Sequence, residues 1–86
     1  MIIPKEIREK VEQRMKLDDE LDKWFEEYLD IEGCDTRTVA IVDTPSGERQ
    51  SNGEYCNQVV LGEDWYRGQY YWKMDNGKYL RMNYEI

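Results

Sequence analysis

The first third of the chain has apolar residues at helical spacing. Pro4 begins a run without further Pro or Gly that continues to Gly33, and a proline in the first turn of a helix costs no hydrogen bond. The apolar side chains of this run fall on one half of a helical wheel at about 100° per residue. The pattern predicts one amphipathic helix over residues 4–29, whose apolar stripe contains Ile7, Val11, Met15, Leu17, Leu21, Trp24, Phe25, Tyr28 and Leu29.

The rest of the chain has the pattern of short strands separated by turn residues. Residues 36–44 (TRTVAIVDT) are rich in β-branched side chains, and residues 54–61 (EYCNQVVL) follow the hairpin signal Ser51-Asn52-Gly53. Residues 45–53 contain little to bury and are expected to form a mobile polar loop. The order of elements predicts an α+β fold of one domain over residues 1–86. In this fold the helix (1–32) packs on a mostly antiparallel sheet of about four strands (36–86).

The C-terminal residues 68–86 (GQYYWKMDNGKYLRMNYEI) predict a β-hairpin with its turn at residues 75–77. A three-residue loop that ends with Gly77 in the left-handed region places Trp72 opposite Leu80 and makes one face almost wholly apolar. A two-residue loop would mix polar and apolar side chains on both faces. We therefore predict the three-residue loop, with an outer face that carries Gln69, Tyr71, Lys73, Tyr79, Arg81 and Asn83.

Composition narrows the range of functions. The 86 residues include 12 Lys and Arg against 19 Asp and Glu, a net charge of −7, which disfavours direct binding to nucleic acid. No apolar run approaches the roughly 20 residues needed to cross a bilayer, so we expect a cytoplasmic protein without a membrane partner. Cys34 and Cys56 are expected to be free thiols, with a disulfide between them as the alternative.

Charge along the predicted helix opposes the helix dipole. Residues 1–17 carry five basic and three acidic side chains, net +2, whereas residues 18–32 carry eight acidic side chains and only Lys23, net −7. One interpretation is a solvated face that keeps a small protein soluble. A second is an acidic surface that imitates nucleic acid toward a basic groove of another protein. The candidate interaction residues on the helix are Asp18, Asp19, Asp22, Glu26, Glu27 and Asp30.

A third interpretation of the helix is self-association. Arg14 and Asp18 lie inside the apolar stripe, four residues apart, and interrupt it. In an antiparallel pair of identical helices the basic half of one copy would lie on the acidic half of the other, and Arg14 would approach Asp18 of its partner. The alternative is that the first turns project beyond the sheet and are solvated.

Little in the chain points to catalysis. Histidine is absent, and no phosphate-binding loop or nucleophile motif is present. Glu63 and Asp64 are the only adjacent carboxylates outside the helix, and they could bind a metal or act as acid and base. Adjacent loop carboxylates are more often solvated. We therefore expect a non-enzymatic protein, with no catalytic residue, cofactor or metal.

Aromatic and cationic residues mark two further candidate surfaces. Trp65, Tyr66 and Arg67 lie in a predicted loop between Gly62 and Gly68, and these residue types dominate binding energy at interfaces. Alternatively, Trp65 closes one end of the small core. On the outer hairpin face the candidate contacts are Tyr71, Tyr79 and Arg81, unless the tyrosines are there as good strand formers.

Several motifs resemble those of small proteins of unassigned function encoded on phages and integrative elements of Gram-positive gut bacteria. They are residues 52–56 (NGEYC), residues 62–66 (GEDWY), Gly68, residues 70–71 and residues 75–80, in the C-terminal third to half of the chain. The resemblance implies a mobile-element context and carries over no catalytic residue. Small acidic proteins of such elements are often inhibitors of host defence, anti-CRISPR proteins among them.

Three hypotheses follow. The first is a binding protein, an accessory or anti-defence inhibitor, that docks on a host protein, such as one that handles nucleic acid, through the acidic helix and the Trp65–Arg67 loop. Glu63 and Asp64 of the same predicted loop are counted among its candidate interaction residues. The second is a homodimeric accessory or structural protein joined through the long helix. The third is a small metal-dependent hydrolase that uses Glu63 and Asp64.

Overall fold

The α+β class is confirmed by one long helix followed by an antiparallel sheet. The structure is a computed structural model and describes residues 1–51 and 53–86. The chain divides into two compact units, Met1–Ile31 and Glu32–Ile86, and each is described by itself. That residues 1–86 make one domain stays a prediction.

Helix α1 is the only regular element of the first unit and spans Lys5–Tyr28, within one residue of the predicted bounds at each end. Pro4 lies at the N-cap position, where its carbonyl accepts hydrogen bonds from the amides of Ile7 (3.1 Å) and Arg8 (3.0 Å). The helix ends where Leu29 turns to extended backbone. No helix in the described part of the chain is long and apolar enough to span a membrane.

The second unit is one antiparallel sheet. Its five strands lie in the order β1-β5-β4-β3-β2 and are β1 Cys34–Val42, β2 Glu48–Arg49, β3 Tyr55–Gly62, β4 Trp65–Lys73 and β5 Tyr79–Glu85. The prediction of an unstructured loop over residues 45–53 was wrong for two residues, because Glu48 pairs with Cys56 and Arg49 with Tyr55. The predicted turn Ser51-Asn52-Gly53 includes Asn52, which lies outside the described residues.

The β4–β5 hairpin has the predicted register. Trp72 pairs with Leu80, and the amide of Met74 donates to the carbonyl of Lys78 (2.8 Å), which closes a three-residue loop. Gly77 ends this loop with φ at +82°, in the left-handed region that glycine adopts without steric cost. The side-chain pattern and one glycine were therefore enough to predict the pairing.

The predicted apolar face of the hairpin contributes most of the sheet's buried side chains. Trp72, Met82 and Tyr84 are buried, and the rings of Tyr70 and Tyr84 lie 4.9 Å apart between their centroids. One residue of the opposite face, Tyr71, is also buried. The outer hairpin face is therefore not uniformly accessible.

Candidate functional site

The C-terminal half of α1 presents unpaired carboxylates. Its last eleven residues contain six acidic side chains and one cation, Lys23. Within the described part of the chain, none of the six has a cationic partner, whereas the first half of the helix forms the pairs Lys5–Glu9 (3.8 Å) and Arg8–Glu12 (2.6 Å). The six, of which all but the half-buried Asp22 are exposed, are Asp18, Asp19, Glu20, Asp22, Glu26 and Glu27. The candidate Asp30 is exposed and follows the end of the helix.

This arrangement works against the helix dipole. The last turn of α1 has no basic side chain, and it contains Glu26 and Glu27 beside the partial negative charge of the helix C-terminus. Asp22 and Glu26 are also like charges four residues apart, which is unfavourable. Helix stability therefore does not account for the acidic half.

The apolar stripe of α1 is largely uncovered. Ile7, Val11 and Leu21 are 45%, 49% and 44% exposed, although they lie on the same side of the helix. Phe25 differs, because it is buried with 4% of its surface exposed. The other exposed apolar side chains of the helix are Met15, Leu17, Trp24 and Tyr28.

Trp65 and Arg67 do not lie in a loop as predicted, because β4 begins at Trp65 and the link to β3 is the two-residue turn Glu63-Asp64. Trp65 Nε1 donates to Glu85 Oε1 (2.8 Å), and Arg67 lies 3.7 Å from the other oxygen of the same carboxylate. Tyr66 is half-buried and exchanges backbone hydrogen bonds with Ile86. Trp65 and Arg67, both on β4, thus contact the same carboxylate, that of Glu85 on β5.

Glu63 and Asp64 are both exposed in the turn between β3 and β4. Among the described residues, no group of three or more side chains of the metal-ligating types is found. The turn geometry is that of a tight hairpin connection, in which polar residues are common.

The outer hairpin face contains a hydrogen-bond network rather than open aromatic rings. Tyr71 is 5% exposed, and its hydroxyl donates to Gln69 Oε1 (2.8 Å) and lies 3.0 Å from Ser46 Oγ. Tyr71 is therefore not available to a partner, contrary to its selection as a contact residue. Tyr79 and Arg81 are half-buried, and Arg81 Nε is buried without a hydrogen-bond partner in the described structure.

Sequence reasoning missed a hollow of about 650 Å³ in the sheet unit, whose lining combines amide side chains with apolar ones such as Val59 and Leu61. Amide side chains of three adjacent strands line it: Gln69 accepts a hydrogen bond from Asn57 (3.3 Å) and donates one to Asn83 (3.1 Å). At its β1 side the side chain of Arg37 donates to Asp35, which lowers the pKa of that carboxyl. The alternation of polar residues in β4 and β5 predicted that Gln69 and Asn83 share one face of the sheet. No pattern in the sequence of β3 predicted that Asn57 lies on the same face.

Neither cysteine forms a disulfide bond, as predicted, and both are half-buried. Cys56 Sγ lies 3.3 Å from the hydroxyl of Tyr84. Burial raises the pKa of Tyr84 above its ordinary value, and the hydrogen bond with Cys56 acts in the same direction.

Comparison of the chain with protein-family models, with curated proteins and with solved structures finds no match. A proposal for the function of this chain therefore rests on its own sequence and structure.

Proposed function

We propose that this chain is a non-enzymatic protein-binding module that docks on a basic protein surface through the acidic half of α1. The observation that carries the proposal is the set of six carboxylates over the last eleven helical residues, none with a cationic partner within the described structure. Glu26 and Glu27 oppose the helix dipole, and Asp22 and Glu26 repel each other, so the arrangement is better explained by a partner than by folding.

The spacing of these carboxylates suits a row of cations. Asp18, Asp22 and Glu26 recur every four residues, so they follow one side of the helix about 6 Å apart at 1.5 Å per residue. A groove that binds a phosphate backbone presents Lys and Arg in rows of a similar kind. The acidic half of α1 would compete with nucleic acid for such a groove.

The biological setting of the proposal comes from the resemblance to proteins of phages and integrative elements. An inhibitor of host defence, or an accessory protein of the element, would meet its target in the cytoplasm of the host. Host proteins that handle nucleic acid have basic grooves and act on the DNA or RNA of mobile elements. They are therefore the favoured class of partner. Neither Glu63 nor Asp64 enters this proposal, because the described residues contain no group of three or more metal-ligating side chains that would include them.

The test compares two triple variants of the same helix. Asp19→Lys, Glu26→Lys and Glu27→Lys reverse the acidic half, whereas Glu6→Lys, Glu9→Lys and Glu12→Lys make the same kind of charge change in the first half. Each immobilised protein is exposed to lysate of a Gram-positive host, and retained proteins are challenged with free duplex DNA. We expect the wild type and the first-half variant to retain a protein that DNA displaces, and the acidic-half variant to lose it.

Two results would overturn the proposal. One is that both triple variants retain the partner protein to the same extent. The position of the acidic side chains on the helix would then not matter for binding. The other is a retained partner that excess DNA fails to displace, because then the bound surface would not be a nucleic-acid groove. Circular dichroism of each variant verifies that the helix is intact.

A further inference from the structure

Helix α1 has a seam with the spacing of a coiled coil. Along one side, residues recur at alternating intervals of four and three positions, which is the a and d pattern of a heptad repeat. Ile7, Val11 and Leu21 are exposed members of this seam, and only Phe25 is buried within one copy. The seam residues are Ile7, Val11, Arg14, Asp18, Leu21, Phe25 and Tyr28.

We infer that α1 pairs with α1 of a second copy as an antiparallel two-helix coiled coil, with Arg14 opposite the partner copy's Asp18. In an antiparallel pair an a position faces a d position of the other helix, and this register satisfies that rule along the whole seam. Val11 then faces the partner copy's Leu21, and Ile7 reaches the level of the partner copy's Phe25. Both charged seam positions are matched by opposite charge, and the exposed apolar residues Val11 and Leu21 are matched by each other.

Residues beside the seam support the same register. Met15 meets Met15 of the partner copy at the two-fold axis, and Leu17 meets its own counterpart there. These two side chains are 63% and 59% exposed in one copy, which the pairing would explain. Farther out, Arg8 faces the partner copy's Asp22, a pair of opposite charges. On the other side of the seam, Lys10 approaches the ring of the partner copy's Trp24, an arrangement suited to a cation–π contact.

Other arrangements of two helices leave charges unmatched. A parallel pair would place Arg14 against Arg14 and Asp18 against Asp18, which is repulsive. A shift of the antiparallel register by one heptad in one direction would set Asp18 against Ile7 and Arg14 against Val11, burying a charge without a partner. The selected register also places residues 1–17, with a net charge of +2, beside residues 18–32 of the partner copy, with a net charge of −7. Charge complementarity thus identifies the occupant of the seam as a second copy of this chain.

The inference does not rest on the proposed function, although the dimer would use Asp18 and Asp22 of the acidic half. Asp19, Glu26 and Glu27 lie at positions that point away from the seam, so the dimer leaves them accessible to a basic partner. Loss of dimerisation and loss of partner binding can therefore be separated by variants at different positions of one helix.

The test measures the dimer dissociation constant by sedimentation equilibrium from about 1 µM to about 1 mM chain. We expect Arg14→Glu and Asp18→Arg each to raise the constant by at least about tenfold, because each sets like charges against each other in the seam. The double variant Arg14→Glu with Asp18→Arg should restore association. A mixture of the two single variants should do so as well, because each supplies the charge that the other lacks.

Control variants at outward positions change the same charges away from the seam. Lys16→Glu and Asp19→Arg are expected to change the dissociation constant by less than about threefold, as surface charges do. Val11→Cys and Leu21→Cys should form a mixed disulfide with each other, mapped by peptide analysis, and neither should cross-link strongly with itself. A monomeric wild type at the highest concentration, a double variant without rescue, or self-cross-linking of Val11→Cys would each overturn the inference.

Discussion

Tyr84 is buried and its hydroxyl lies within hydrogen-bond distance of three groups on β3. It is 3.3 Å from Cys56 Sγ, and it donates toward the carbonyl of Asn57 and Oε1 of Gln58, both at 3.2 Å. Burial raises the pKa of Tyr84, and the neighbouring thiol adds to this effect. The folded protein therefore favours the neutral phenol, whereas an unfolded chain ionises near pH 10.

The sign of the pH dependence follows from this difference. The contribution of neutral Tyr84 to stability is complete below about pH 10 and decreases as the pH rises above that value, because the unfolded chain then releases the proton first. We expect Tyr84→Phe to lose about 1 kcal/mol at pH 8 through its hydrogen bonds. Urea unfolding at pH 8 and at pH 11 should show a smaller alkaline loss in this variant than in the wild type. An identical loss in both proteins would contradict the prediction, and Tyr28→Phe, at an exposed helical tyrosine, is the control.

Single residues also show where sequence reasoning stops. Alternation correctly placed Tyr71 on the face opposite Trp72, but it could not predict that Tyr71 is buried. Its hydroxyl lies 3.0 Å from Oγ of Ser46, which is 25 positions away along the chain. Contacts of this kind are set by how a turn folds over the sheet, and local spacing carries no signal of them.

At the scale of elements, β3 and β4 approach closely at Gly68. A Cβ atom at this position would overlap the carbonyl oxygen of Asn57 and lie 2.9 Å from Cα of Gln58. Both neighbours are backbone atoms of β3, so they cannot move aside without disturbing the strand pairing. The glycine is needed for this approach between the strands.

We expect Gly68→Ala to lower the free energy of unfolding by about 2 kcal/mol or more, as overpacking against rigid backbone does. Gly62→Ala is the matched control in the neighbouring strand, because its Cβ would meet only Trp65 Cβ at an ordinary 3.8 Å. The control should change stability by less than about 1 kcal/mol. Thermal unfolding of the two variants provides the comparison, and equal losses would show that the close approach at Gly68 can relax.

The elements themselves were predicted unevenly. The hairpin register followed from alternating side chains and from Gly77, because a slip by one residue would turn apolar side chains to solvent. Strand β2 was missed because Glu48 and Arg49 have no apolar pattern and pair only through their backbone with residues of β3. Residues 62–68 were predicted to be one loop because Gly62 and Gly68 bound them, whereas in the structure only Glu63 and Asp64 form the turn between β3 and β4.

At the scale of the whole molecule, the distribution of charge along the helix can be read from the sequence. The acidic half of α1 was recognised from the order of residues alone, and the structure shows its carboxylates unpaired within the described chain. The cluster of Trp65 and Arg67 with Glu85 was not predicted, because Glu85 belongs to a different strand. Charges that follow one helix can be predicted from spacing, whereas charges that meet across strands require the register of the sheet.

The same charge distribution is expected to lower the stability of α1 while it favours binding to a basic partner. Glu26→Lys would place a cation near the C-terminus of the helix and replace the repulsion between Asp22 and Glu26 by an i,i+4 attraction. We expect a gain of about 1 kcal/mol, from about 0.3–1 kcal/mol for the dipole and a few tenths for the pair. Glu27→Lys should gain less, because the residue four positions before it is Lys23, whereas Glu26→Lys has Asp22 at that position.

Urea unfolding followed by circular dichroism measures both variants beside the wild type, at low ionic strength where these terms are least screened. Because Glu26 also belongs to the proposed docking surface, a stabilised Glu26→Lys protein that no longer retains the basic partner would separate binding from folding. A Glu26→Lys protein that is less stable than the wild type would mean that the carboxylate of Glu26 stabilises the fold. The presence of Glu26 would then need no binding partner to explain it.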